Sequence, residues 1–557
     1  MKHHKSFGLL FAAVLFGLII QTVIHVANAG STKLNGPLQS MGNVVQARFS
    51  PDENYIVYIA DQVEDESFEL YSVPVTGGTP VRLNKDLPDG VDIFSFLISP
   101  DSQQVVYRAE QNAAGVTELF SVPIIGPSTA GVQLNETPVQ FGNVSTFKIS
   151  PDGDYVIYQG DLERASFDEL YRVPIAGPAT SSEKLYESAA EFEEVFQFDI
   201  SPDSTLVVYS AVKSTVNGYR YQLFSVPLLG SVANTVALTE PLIEFGLIES
   251  FTISVDSMRV VYLADADVVD RDELFSVPIN GPANLGVKLN EALEPFNAMS
   301  SRYFISSDSS RVVYLAQLAG RSEKEFYSVP IDGPASNSVR LSVDLTVNQN
   351  VDDFHWHITQ DGTKLVYGYY ESSSFKRLYR VPISGTQSDN KLLLEIPFTD
   401  EADMAVYATT PDGVNVVFVI RPDSGEAYEM FSIPIEGPLG AEIKLNLPLA
   451  SGGNVSTWIT TSPNSQWLIY TAEIENAGTI DLYAVPVMGP ANESIKINPA
   501  LVAGGNVSEL ANRISPGGNW IAYLADQETD GMQELYLSEG NLLFSSNFVY
   551  LPMVTAE

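Results

Sequence analysis

A closed ring of about ten small β-sheets is the fold this 557-residue sequence predicts, and three observations predict it. An aromatic residue returns at Tyr58, Tyr107, Tyr158, Tyr209, Tyr262, Tyr314, Tyr367, Phe418, Tyr470 and Tyr523, a period of about 52 residues. A fixed period of that size marks a repeat architecture. Six residues before each aromatic stands a turn position, held by Asp52, Asp101, Asp152, Asp203, Asp256, Asp308, Asp361, Asp412, Asn464 and Gly517. After it comes a Val-Pro or Ile-Pro pair, from Pro74 to Pro486, in every unit except the last, which ends "ELYLSEGN".

Each unit reads as four short strands. In "FKISPDGDYVIYQGDLERASFDELYRVPIAGP" the first stretch alternates apolar and polar residues. Ser-Pro-Asp-Gly then supplies turn chemistry: Ser and Asp bond nearby backbone, Pro fixes φ, and Gly permits φ > 0. "YVIYQG" is rich in β-branched and aromatic residues and makes the second strand. A polar acidic loop leads to the third strand, "ELYRVPI", whose Pro removes a donor where pairing finishes. Gly-Pro turns the chain, and "VKLN" or "IKLN" makes the fourth. No segment of the repeat has helical period or length, so the class is all-β.

Four strands per unit, repeated without linkers, is the pattern of a β-propeller, whose ring hides most sheet edges. The wording "SPDG...VVY...ELFSVP" resembles the PD40, or TolB-like, propeller repeat, a relative of WD40, over about residues 44 to 540. The resemblance implies a propeller of about ten four-stranded blades. It implies no activity, because this blade serves peptidases, lyases and pure binding proteins alike. TolB carries an α/β domain ahead of its propeller; residues 30 to 46 are too few to supply one, so its role and partners are not carried over. "STKLNGPLQSMGNV" at Ser31 to Val44 matches "IKLNLPLASGGNV" at Ile443 to Val455, so the N-terminal segment begins with an outer strand that lacks a blade of its own. Lys33 to Asn35 are therefore expected to pair with the tenth blade and close the ring, with Leu542 to Ser546 as the rival strand. One ten-bladed ring is preferred to two smaller propellers.

Ahead of the repeats, Lys2 and Lys5 precede an apolar run from Phe7 to about Val26 that ends in Ala27-Asn28-Ala29. That is the pattern of a cleaved signal peptide spanning residues 1 to 29, with an uncleaved membrane anchor as the alternative. The propeller would then be residues 30 to 557, without an integral membrane segment, located outside the cytoplasm as a secreted, periplasmic or cell-surface protein. Against 30 Lys plus Arg stand 69 Asp plus Glu, a net charge of −39 that repels phosphate backbones and excludes nucleic acid as a partner. Cysteine is absent, which excludes disulfides, thiolate metal sites and a Cys nucleophile.

Catalytic constellations are missing from the residues. After signal cleavage only His355 and His357 remain, both in one strand, so a Ser-His-Asp triad has no suitably placed base. Gly-x-Ser-x-Gly is absent, and with it the hydrolase domain that accompanies such propellers in dipeptidyl-peptidase-like enzymes. Alternation along one strand would put Asp353, His355 and His357 on one face, a metal-ligand set, against packing between blades. Acidic loops after the second strand, with Asp265, Asp267, Asp270 and Asp272 and the run from Asp526 to Gly531, suggest calcium or another divalent cation, against a solvated hairpin loop. Acids opening the third strand, such as Glu69, Glu169 and Glu534, recur with the repeat and read as structural. Gly-Asn-Val in the blade-to-blade connections offers Asn43, Asn143, Asn454 and Asn506 as ligand-binding candidates on one rim, against ordinary turn chemistry. The expected function is a non-catalytic scaffold, with no resident cofactor, binding a protein or glycan at its acidic loop face. A metal-assisted polysaccharide lyase or hydrolase and a structural cell-surface component are the alternatives.

Overall fold

The structure, a computed structural model, describes residues 30–540 apart from 141, 186–193, 295–298, 346–348, 372–374, 398–402, 422–425 and 510–512. The signal segment 1 to 29 and the rival closing strand at Leu542 to Ser546 lie outside the described residues. Ten four-stranded antiparallel sheets follow one another along the chain. In blade one the strands are Val44–Phe49, Tyr55–Ala60, Glu69–Pro74 and Val81–Arg82, paired in that order. Successive first strands pack on one another, as Gln349–Ile358 does on Asp403–Thr409, so they form the inner wall of the ring. Among the described residues helix is confined to single 3-10 turns such as Ser128–Ala130, and no helix is long and apolar enough to cross a membrane.

The repeated aromatic holds each blade and joins it to the one before. Tyr58 lies directly opposite Tyr71 in the register, and their rings stack with centroids 5.4 Å apart. The same cross-strand stack recurs in all ten blades, with centroids 5.2 to 5.9 Å apart. Directly opposed aromatic pairs are the sheet's own stabilising unit. The buried phenols then reach into the neighbouring sheet: Tyr262 packs with Val208 and Leu223 of blade four, and Tyr58 with Ala522, Leu524 and Leu535 of blade ten.

"KLN" does three separate jobs. Its basic residue pairs with the acid that opens the third strand, as Arg82 does with Glu69 at 2.8 Å and Lys496 with Asp481 at 2.9 Å. Its Leu is buried between blades, and Leu83 and Leu289 have no exposed surface. Its Asn accepts a third-strand amide, Leu70 to Asn84 Oδ1 at 2.8 Å and Leu482 to Asn498 Oδ1 at 2.7 Å. The turn after the third strand needs its glycine. Gly281 sits at φ +61°, and a Cβ there would lie 2.4 Å from Val236 of the preceding blade.

Closure joins the two ends of the chain. Thr32–Lys33 pairs with Glu534–Glu539 as the outer strand of blade ten, in the register Thr32 with Leu537 and Lys33 with Tyr536. Leu34 N donates to Leu535 O at 2.9 Å. Asn35 Oδ1 accepts from Leu535 N at 2.8 Å. The N-terminal "KLN" thus completes the last blade, and a single ten-bladed ring results.

Candidate functional site

Antiparallel order gives the ring two unlike faces. The turns between first and second strands lie on the lower face; the acidic loops between second and third strands and the blade-to-blade connections share the upper one. On that upper face the four Gly-Asn-Val asparagines fasten one blade to the next. Asn43 Oδ1 accepts the Gln533 amide at 2.8 Å, Asn143 that of Thr117 at 2.7 Å, Asn454 that of Tyr428 at 2.7 Å and Asn506 that of Ile480 at 2.8 Å. Their own amides donate to acids of the second-to-third loop: Asp61, Asp161, Glu473 and Asp526. The side-chain oxygens proposed for a ligand are therefore engaged by main chain of the preceding blade. The acids that open the third strand are also internal, for Glu169 takes Lys184 Nζ at 2.5 Å and the Tyr171 hydroxyl at 2.5 Å.

Asp353, His355 and His357 do not form one face. The pairing of Gln349–Ile358 with Lys364–Glu371 slips between Val351 and Trp356, a bulge that breaks the alternation on which the sequence expectation relied. Asp353 turns to blade six, accepting the Ser300 hydroxyl at 2.7 Å and pairing with Lys324 Nζ at 3.0 Å. His355 Nδ1 lies 2.9 Å from Asp352 Oδ2 instead. Among the described residues no three His, Asp or Glu side chains come together in a cluster ready for a metal ion.

Bulges also bring out a feature that strand alternation in the sequence conceals. In blades one to five the register slips near the start of the first strand, around Val45, Phe94, Ser145, Phe196 and Glu249. A bulged residue is left without a cross-strand partner and re-aimed. Val45, Phe94 and Phe196 are 53, 48 and 55% exposed, although large apolar side chains usually lie inside. Blade nine adds Trp458, 59% exposed within a longer slip between Val455 and Ile459.

Blade four departs furthest. Its second and third strands, Leu206–Ser214 and Tyr219–Pro227, have nine residues each where blade one has six, so this hairpin stands above the face. At its tip Tyr219 packs edge-on against Tyr221 and Phe245 with centroids 5.8 and 5.4 Å away, and Phe196 against Tyr221 at 5.5 Å. Gly218 makes room, since a Cβ there would meet the Phe245 ring at 2.4 Å. Arg220 Nε and the Thr215 hydroxyl both donate to Glu244, at 2.9 and 2.7 Å, beside the rings. The signal was legible as Asn217-Gly218 between aromatic and β-branched residues, a hairpin turn where the other units carry an acidic loop.

Two carboxyls adjoin this platform. Asp168 accepts the Ser145 hydroxyl at 2.7 Å and Gln159 Nε2 at 3.1 Å. Burial first, then the charge of Asp161, lifts Asp168 above the usual carboxylate range. Burial and the charge of Asp168 lift Glu194 in the same direction, and Glu194 precedes Phe196 in one strand.

No family model matches the chain, and no curated protein does. Solved structures match at low identity. One, from an analysis of two prolyl endopeptidases, is 14% identical, with 69% of this chain and 55% of that chain covered and a TM-score of 0.36. Dipeptidyl peptidase 4 of Porphyromonas gingivalis is 12% identical, with 73 and 63% covered and a TM-score of 0.39. An oligogalacturonate lyase in complex with manganese is 12% identical, with 91 and 98% covered and a TM-score of 0.33. The chain spans little more than half the length of the endopeptidase structure it resembles.

Proposed function

We propose that this protein is an exported, non-catalytic propeller of the PD40 type that binds a glycan on its upper face, at the aromatic platform of blade four. The observation that carries this is the exposure of Phe196, Tyr219 and Phe245 around one another, at 55, 37 and 45%. Ring faces left open to solvent stack on the apolar C–H side of a pyranose, while Glu244 and Arg220 offer an acceptor and donors to its hydroxyls. An apolar surface of few, well-placed polar groups is the general chemistry of a ligand site. Isothermal titration against an array of neutral and cationic oligosaccharides tests it. Binding lost in both Tyr219→Ala and Phe245→Ala, with the melting temperature kept, is the expected result; a protein ligand would instead leave every oligosaccharide silent while still depending on those residues.

Asp168 and Glu194 favour a second reading, a glycan-cleaving enzyme. Carboxyls raised by burial and by neighbouring acids, Asp161 beside Asp168 and Asp168 beside Glu194, sit beside the platform, and perturbed acids concentrate at catalytic sites. Turnover of the bound oligosaccharide, lost in Asp168→Asn, would decide for the enzyme. Export is proposed with cleavage before Gly30, and mass spectrometry of the native protein reads the mature terminus directly.

A further inference from the structure

The inner wall of the ring is charged unevenly. Among the described residues the first strands of blades nine, ten, one, two and three are Val455–Thr461, Arg513–Ile514, Val44–Phe49, Ile93–Ile98 and Val144–Ile149. They contain Arg513, Arg48 and Lys148 and no acid. The first strands of blades four, five and seven contain Glu194, Asp199, Glu249, Asp352 and Asp353. In a chain with 69 acidic and 30 basic residues, the wall of those five blades is where the sign reverses. Lys148 is neutralised by Asp199 of blade four at 2.7 Å.

Two arginines nearby have only neutral partners among the described residues. Arg48 is exposed, and its guanidinium lies over the Phe96 ring of blade two, 5.7 Å from the centroid. In the amide orientation that satisfies both groups, Gln46 presents its oxygen to Arg48 Nε at 3.0 Å and Nη2 at 3.2 Å. Arg108 belongs to the second strand of blade two, Gln104–Ala109, and reaches the seam with blade three. Its guanidinium lies over Phe94, 5.8 Å from the centroid; Nη1 donates to Val144 O at a long 3.4 Å, and the buried Nε meets no acceptor. Burial lowers the Arg108 pKa, with no carboxylate opposing the shift. A partly buried cation without an anion costs free energy. Blade three fills the same place with neutral Gln159, whose Nε2 donates to Val195 O at 2.6 Å, so packing at this seam does not require a charge.

The register relates the two guanidiniums. Arg48 lies opposite Val57, the residue before the aromatic Tyr58, whereas Arg108 follows the equivalent Tyr107. Arg108 therefore stands two residues, about 7 Å, nearer the upper face and one seam further round the ring. Phe94, in the bulge between Ile93 and Ser95, lies half-exposed on the strand between those seams. We propose that Arg48, Arg108 and Phe94 form an anion-binding subsite, at the upper mouth of the central channel, for a glycan that carries carboxylate or sulfate groups. A guanidinium offers paired N–H groups in a fork that suits the oxygens of such an acid. The ring beneath each one holds it in place by cation–π contact. Phe94 takes the apolar side of the sugar. The subsite rests on the glycan reading above and deepens it: the ligand carries acid groups, and it has a contact outside the blade-four platform.

Calorimetric titration of the full mature chain with an oligouronate, a sulfated oligosaccharide and a neutral oligosaccharide of equal length tests this. The wild type should bind an acid-bearing probe, more weakly as salt rises, and the one it prefers identifies the acid group. Arg48→Gln and Arg108→Gln should each weaken that binding about tenfold while leaving the neutral probe's binding unchanged. Arg108→Gln should melt no lower than the wild type, since glutamine is what blade three carries there; a lower melting temperature would make Arg108 a packing residue and overturn its role. Lys85→Gln removes the same charge from an exposed position after the outer strand of blade one and should change nothing. An equal loss in Lys85→Gln, silence of both acid-bearing probes, or tighter arginine-dependent binding of an acidic peptide would overturn the subsite. Should Arg108→Gln not fold, the exposed Arg48→Gln carries the test. A silent neutral probe beside arginine-dependent binding of an acid-bearing one would remove the platform and leave this subsite standing.

Discussion

On the lower face Ser50 donates to Asp52 at 2.6 Å, and Asp52 N donates on to Ser102 of the next blade at 3.0 Å. The same link passes from Asp152 to Ser204 at 3.0 Å, Asp203 to Ser257 at 3.1 Å, Asp256 to Ser309 at 3.1 Å and Asp412 to Ser465 at 2.9 Å. On the upper face the corresponding fastening, an asparagine oxygen on a neighbour's amide, holds at Asn43, Asn143, Asn454 and Asn506, while Glu194 of blade four and Leu247 of blade five stand in the asparagine's place. Those two blades carry a raised hairpin and the contacting carboxyls of Asp265 and Asp272. Both faces are cut from one repeat, so the difference marks where the chain gives up uniform bonding for particular side chains. Uniform bonding stabilises a ring; divergent, outward-turned groups at one sector supply the rings and polar groups of the proposed glycan platform.

That contrast can be broken, beginning with what both faces share. Deleting Gly30 to Leu38 removes the strand that seals blade ten to blade one and exposes two sheet edges. Loss of cooperative melting, or association in gel filtration, is expected. A monomer with an unchanged melting temperature would mean another segment closes the ring.

Tyr262→Ala comes next, at a cost of roughly 3 to 5 kcal/mol for a buried ring in close-packed surroundings. Denaturant titration should place Asp256→Ala well below it, at about 1 kcal/mol for carboxylate hydrogen bonds to the Ser254 hydroxyl and the Met258 amide in a solvent-exposed turn. Equal shifts for the two would show that the aromatic stack does not govern blade packing.

The faces should also respond oppositely to pH. Asp308 on the lower face is held below the usual carboxylate range by the Ser306 hydroxyl, then by the amide and hydroxyl of Ser310. Its contribution is present above its unfolded pKa of about 3.9 and fades as pH falls through the lower, folded value. Asp272 is raised to about 6, so its contribution is present below about 3.9 and fades as pH rises toward 6. Melting curves of Asp308→Asn and Asp272→Asn should flatten the acid limb and the pH 4 to 6 limb respectively. A reversed assignment of the two limbs would contradict the environments described.

The smallest stability effect is expected at the platform. Tyr219→Ser removes exposed ring surface and should change the melting temperature little, while abolishing oligosaccharide binding. A large thermal loss would make Tyr219 part of the packing.

Much of the ring was legible in the chain because its determinants are local and repeated ten times. The invariant offset between turn and anchor follows from strand length, and "KLN" at Lys33 to Asn35 declared itself by matching Lys444 to Asn446. The candidate site was legible only in part. Asn43 and its counterparts lie on the upper rim as the connections implied, yet their oxygens meet amides of a blade some 26 residues or more away, as in Tyr428 with Asn454. Alternation failed at Asp353 and His355 because a bulge has no signature in a two-residue period.

Composition, period and turn chemistry by themselves determined an all-β chain of about ten four-stranded units with a closing N-terminal strand. Those properties depend on neighbours within one repeat or on the match between two repeats. Which side chains face water was decided by tertiary structure. Phe196, Tyr219 and Phe245 belong to a strand, a hairpin and a connection that meet only once blades four and five are stacked. Exposure and charge contact are properties of the assembled surface, and the repeat fixes only the frame on which that surface is built.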